Sequence, residues 1–165
     1  MPVVSNTSPI MNLAIIGELS LLQNQFGEIV IPGAVLEELK VEEDLPGSQN
    51  VRDALKVGWI RIETVNLYPL VRALQRDLDK GEAEAIALAI QLNADWVLID
   101  EREGRKAAKS MELKVVGVLG VLLKAKHEGR LGSLRQAIDR LREKAGFYVR
   151  TDLCSEIIRE GGEEK

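Results

Sequence analysis

Gly81-Glu82-Ala83-Glu84-Ala85-Ile86-Ala87-Leu88-Ala89-Ile90-Gln91-Leu92, followed after Asn93-Ala94-Asp95 by Trp96-Val97-Leu98-Ile99-Asp100, sets the architecture. The first part is rich in Ala and Leu and apolar almost all round, which predicts a buried helix over Asp79 to Leu92. The second is a continuous apolar run of strand length, as a parallel strand covered on both faces requires. A carboxylate, Asp100, closes that strand.

Outward from this unit the pattern repeats. Val3-Val4 is a strand stopped by Ser5-Asn6-Thr7-Ser8-Pro9, and an apolar helix follows over Ile10 to Ile16. Phe26 to Pro32 gives a second strand, and Val35, Leu36 and Leu39 recur at helical spacing after Pro32, placing Glu37 and Glu38 on that helix. Glu43 to Ser48 reads as a loop, Val51 to Val57 as a helix, Trp59 to Ile62 as a short edge strand, and Leu70 to Gln75 as a helix started by Tyr68-Pro69. Beyond Asp100 come a basic helix over Glu101 to Met111, a buried strand at Lys114 to Val116 and a helix over Val118 to His127. Helices over Ser133 to Lys144 and Thr151 to Glu160 follow, with a frayed tail at Gly161 to Lys165. Short strands alternating with helices predict an α/β fold with a central parallel sheet covered by helices on both faces. The α/β core spans 1–132, and 133–165 form a C-terminal helical extension packing on it.

In such sheets ligands bind beyond the carboxyl ends of the strands. Residues just after a strand, or at the start of the next helix, can therefore converge: Asn6, Glu38, Glu82, Glu84 and Asp100. The rest of the composition narrows the chemistry. With 165 residues the chain is long enough for one packed core. Cys154 and His127 are each the only one of their kind, which excludes an intrachain disulfide and any cysteine- or histidine-rich metal site, and fits a reducing, cytoplasmic setting. Neither a secretory signal nor an apolar run long enough for a bilayer is present, so no membrane partner is expected. There is no Gly-x-Gly-x-x-Gly, no Gly-Lys-Ser/Thr loop and no Gly-x-Ser-x-Gly. What is plentiful is carboxylate. Net charge is −4, divided unevenly: residues 1–100 hold 7 Lys/Arg against 15 Asp/Glu, whereas 102–150 hold 13 against 5. Acids that hold cations beside bases that hold a phosphate backbone would divide in this way, although long helices with solvated faces also carry mixed charge.

Four of these stretches, taken together, resemble the PIN-domain ribonucleases. They are Val3-Val4-Ser5-Asn6-Thr7-Ser8-Pro9; Ile31-Pro32 with Val35-Leu36-Glu37-Glu38-Leu39; Gly81 to Ala89; and Val97-Leu98-Ile99-Asp100 with Gly104-Arg105. The likeness runs in matching order from Val3 to about Gly132 and is nearest to a prokaryotic subfamily related to the VapC toxins of toxin–antitoxin pairs. The resemblance implies a single PIN-like domain that binds Mg²⁺ or Mn²⁺ and hydrolyses RNA phosphodiester bonds. It also implies a protein antitoxin as partner and a homodimer. The family's four acidic positions fall on Asn6, Glu38, Glu82 and Asp100, with Ser8 at the hydroxyl position that assists the first. Glu84 then lies one shell out from the metal, and Arg105, one helical turn past Asp100, is placed to meet a phosphate.

The chemistry asks for such a set. Mg²⁺ is a hard ion that takes oxygen ligands and keeps several waters, so a few carboxylates suffice and no histidine or cysteine is needed. Asn6 stands where active members carry aspartate, and it keeps a second reading open: a degenerate PIN fold that binds RNA or a protein partner without cutting. An unrelated flavodoxin-like binding module is a third. Each residue also has an ordinary structural use. Asp79 and Glu82 fit a capping box, Asp100 could cap the next helix, and Asn6 and Ser8 could cap the first. Glu37 and Glu38 are ordinary formers of a solvated helix face. With aromatic residues at only 4%, backbone contacts rather than base stacking are expected to dominate RNA binding.

Overall fold

The central strands are short and almost wholly apolar, so they can only be stable between two helical layers. The computed structural model describes residues 2–163. The strands are β1 (Val3–Ser5), β2 (Ile29–Ile31), β3 (Ile60–Ile62), β4 (Trp96–Leu98) and β5 (Val115–Val116). They form one sheet in the order β3-β2-β1-β4-β5, and every pairing is parallel. Register is set by Val4 opposite Val30 and Val97, and by Val97 opposite Val115.

The period of two along the strands separates two apolar layers. Val3, Ile29, Ile31 and Leu98 face one layer, built with α1 (Thr7–Ile15), α2 (Ser20–Phe26), α3 (Gly33–Leu39), α4 (Ser48–Val57) and α8 (Val118–His127). The same layer holds Leu134, Ile138 and Leu141 of α9 (Leu134–Ala145) and Cys154 and Ile158 of α10 (Thr151–Glu160). Val4, Val30, Val97 and Ile99 face the other, against α5 (Tyr68–Leu74), α6 (Lys80–Gln91) and α7 (Arg102–Ser110). Helix α6 has Ala83 and Ala85 to Ala89 fully buried, as its all-round apolar sequence requires. No helix among the described residues is long and apolar enough to cross a membrane.

Three details depart from the sequence reading. Helix α2 was not anticipated: Leu21 and Leu22 are buried, but seven residues are too few for a clear helical period. The strand at Lys114 to Val116 is an edge strand, half-buried rather than buried, because nothing pairs beyond β5. The tail is ordered as far as Glu163, whose carboxylate accepts N–H groups of Leu134 (2.5 Å) and Arg135 (3.1 Å) and pairs with Lys126 at 3.0 Å. Glu163 thereby satisfies the free donors at the start of α9. Glu164 and Lys165 lie outside the described residues.

Connections from β1 run outward through β2 to β3, then return across the sheet to β4 and on to β5. The direction of winding therefore reverses between β1 and β4. The helices that follow the two strands pack on opposite faces of the sheet, α1 on one and α7 on the other, the arrangement that in open α/β sheets forms a ligand crevice at the carboxyl edge. Asn6 ends β1 and Asp100-Glu101 follow β4, so both borders of the crevice carry polar side chains.

Candidate metal centre

Asn6 is 3% exposed and occupies the cap position of α1, yet its side chain makes no capping bond. Its backbone N–H joins Leu98 (2.9 Å), its amide Nδ2 donates to Glu101 Oε1 (3.3 Å), and its Oδ1 is buried with no partner among the described residues. Ser8 Oγ donates to the other Glu101 oxygen at 2.7 Å. One carboxylate thus receives two polar side chains of the β1–α1 turn, those of Asn6 and Ser8. Glu101 was not singled out from the sequence. The available signal was its position, one residue past Asp100 at the same strand end.

Glu38 projects from α3 and accepts the hydroxyl of Thr7, which brings a third element to the crevice. Glu82 is 6% exposed and closes the expected capping box: its N–H donates to Asp79 Oδ1 (2.8 Å), and its Oε1 accepts the Asp79 N–H (3.2 Å). Burial pushes the Glu82 carboxyl up to about 7, against the Asp79 N–H bond and with help from the charges of Asp79, Glu101 and Glu38. One oxygen caps the helix, while the carboxylate stays within the fields of Glu38 and Glu101.

Asp100 caps a helix, but not the next one. Its Oδ1 accepts the N–H of Val118 at 2.8 Å, in the first turn of α8, and its Oδ2 is buried without a partner among the described residues. Burial raises the Asp100 carboxyl to about 6; the Val118 bond opposes this, the Glu101 charge adds to it, and Arg105 and the nearby Asn12 side chain again oppose it. Arg105 Nη1 donates to the Ile99 carbonyl at 2.9 Å, so the guanidinium leans on the end of β4, near enough for its charge to lower the Asp100 carboxyl. Glu84 Oε1 accepts the Ala34 N–H at 3.0 Å, in the first turn of α3. That bond anchors the helix that carries Glu38.

Three of the acids are seated on glycines. A Cβ on Gly81 would fall onto the Glu38 carboxylate, one on Gly104 would stand 2.9 Å from Glu82 Oε2, and one on Gly117 would stand 2.8 Å from Asp100 Oδ1. Any side chain at these positions would displace a carboxylate, so Gly81, Gly104 and Gly117 set how closely the acids approach the sheet edge.

Among the described residues, no three His, Cys, Asp or Glu side chains stand close enough to form a ready metal cage. The donor set nevertheless suits a hard divalent cation. It consists of oxygen atoms, its carboxylates are raised by burial and further by one another's charge, and it includes two buried oxygens, Asn6 Oδ1 and Asp100 Oδ2, without a hydrogen-bond partner among the described residues.

The protein is thus a parallel α/β domain with polar and acidic side chains gathered at the carboxyl edge of its sheet. The chain belongs to the PIN-domain family, whose model matches residues 2–163. Members of that family are generally nucleases, and they commonly bind divalent metals. The structure is similar to that of a PilT N-terminus domain protein from the hyperthermophilic archaeon Sulfolobus solfataricus P2. The TM-score is 0.53 and the identity 20%, over 76% of this chain and 93% of the other, a likeness of fold. No curated protein matches the chain in sequence.

Proposed function

We propose that the protein is a metal-dependent endoribonuclease. The observation that carries this reading is the pair of unsatisfied buried oxygens, Asn6 Oδ1 and Asp100 Oδ2, on the two strand ends that border the switch point. Asn6, Glu38, Glu82, Asp100 and Glu101 are the residues that would hold Mg²⁺ or Mn²⁺. When bound, such an ion supplies positive charge against the phosphodiester and acidifies water. The chain's own residues do the rest. Ser8 and the Asn6 amide orient Glu101, Thr7 orients Glu38, and the Val118 N–H holds one oxygen of Asp100. Without metal the Glu82 carboxyl, pushed up to about 7 by burial, is partly protonated at neutral pH, and a bound cation would draw it into the charged form.

RNA is the substrate class that the charge distribution favours. Helix α7 starts at the site and presents Arg102, Lys106 and Lys109, all exposed and without an ion pair among the described residues. A phosphate backbone along α7 would release counterions, so affinity should fall steeply with added salt. A single-stranded RNA should be cut in Mn²⁺ or Mg²⁺, not in chelator, and not by Asp100→Asn. Cutting that survives chelation ends the metal-nuclease reading. Within it, a toxin held by an antitoxin should arrest growth when expressed alone, and Asp100→Asn should relieve the arrest.

The Asn6–Glu101 bond supports a second reading, binding without cleavage, because it spends one carboxylate oxygen on a neutral amide where an acid would add charge. RNA bound with unchanged affinity in chelator and never cut would favour it.

A further inference from the structure

A cleft of 460 Å³ opens beside the acidic edge, and one wall comes from the C-terminal part of the chain. Asp100 and Arg105 line one side, Val116 the floor, and Phe147, Tyr148 and Ile157 the other side. The segment between α9 and α10 is held on both flanks of Tyr148. Gly146 takes the left-handed conformation (φ 65°) that ends α9, the Phe147 N–H returns to the Leu141 carbonyl at 3.0 Å, and the Val149 carbonyl accepts Arg142 Nη2 at 3.0 Å. Phe147 is half-buried and Val149 buried, while the Tyr148 ring is 82% exposed. A fixed backbone therefore presents a free aromatic face at the mouth of a cleft that contains a candidate metal ligand.

We propose that this cleft is a base-binding subsite, in which an unpaired nucleobase next to the reacting phosphodiester stacks on Tyr148. The proposal rests on the nuclease reading. Three features point to a base rather than an apolar protein side chain. The cleft shares Asp100 with the acidic edge, so its occupant must be contiguous with whatever binds there. Arg105 adds a cation that suits the phosphate joined to such a base. The free ring offers a flat face that any base can cover, whatever the sequence. Stacking was not expected from an aromatic content of 4%, but two of the chain's aromatic residues, consecutive in sequence, are delivered here by the fold.

The test uses the full chain, in chelator so that nothing is cut, with a single-stranded ribo-oligonucleotide and an abasic ribose-phosphate chain of equal length. Tyr148→Ala should weaken oligonucleotide binding about 5- to 100-fold and leave the abasic chain unaffected. Tyr148→Trp should keep the affinity, and the indole emission it adds to that of Trp59 and Trp96, taken as the difference from wild type, should be quenched by the oligonucleotide but not by the abasic chain. Equal affinities for wild type and Tyr148→Ala, equal weakening toward both ligands, or an unquenched indole would overturn the subsite while leaving the nuclease reading intact. Wild-type protein that neither binds nor cuts RNA overturns both.

Discussion

The Glu101 carboxylate accepts the Ser8 hydroxyl at 2.7 Å, joining the end of β4 to the first turn of α1 across 93 positions of sequence. With the Asn6 amide on its other oxygen, Glu101 is held against the turn that follows β1. Ser8→Ala should lower Mn²⁺ affinity about tenfold and Glu101→Gln about a hundredfold, in the range found when ligand-orienting partners are removed. Calorimetric titration checks both, and unchanged affinity in Glu101→Gln removes that residue from the site.

Asn6→Asp should tighten metal binding, because a charged oxygen replaces a neutral one. Without metal it should lower the melting temperature. The new carboxylate, buried at position 6, would face the Glu101 carboxylate in place of an N–H donor, and burial together with the neighbouring like charge destabilises the folded state. Melting with and without Mn²⁺ on both variants separates the two effects; a substitution silent in both places Asn6 outside the metal's reach.

Glu82 and Asp100 lie above their usual range, at about 7 and about 6. In the pH interval between their unfolded and folded values the native state binds more protons than the unfolded one. Stability of the metal-free protein therefore falls as pH rises from about 4 to about 7 through these groups. Glu82→Gln, which can still accept the Asp79 N–H, should flatten part of this slope and be more stable than wild type at pH 8. Chemical denaturation across that range measures it, and an unaltered slope would mean that Glu82 is ordinarily ionised.

Glu163 has the opposite sign. Although burial opposes it, bonds from the Leu134 and Arg135 N–H groups and Lys126 hold its carboxyl at about 2. Its contribution is present above the usual carboxylate value and is lost as pH falls toward 2. Glu163→Gln should destabilise the protein by about 1 kcal/mol, the scale of a lost helix cap. Truncation after Gly162 should do at least as much, and a melting temperature unmoved by either would show that α9 needs no such cap.

The sequence by itself determined the local structure and the sheet class. Apolar runs such as Val97 to Ile99 can be stable only between two layers, and the Ala-rich run after Asp79 only as a buried helix, so a covered parallel sheet follows from burial alone. Position after a strand likewise brought Asn6, Glu38, Glu82 and Asp100 into consideration, because chain direction places strand ends on one edge. What those side chains meet was decided by tertiary structure. Asp100 and Glu101 are neighbours in sequence, yet the backbone turn after β4 sends one toward the Val118 N–H of α8 and the other toward Ser8 of α1. Tyr148 lies 48 residues from Asp100 in the chain, and only the packing of α9 and α10 on the core brings it to the same cleft. Local sequence fixes the direction and burial of an element; which side chains share a cavity depends on contacts between elements far apart in the chain, and no local pattern encodes them.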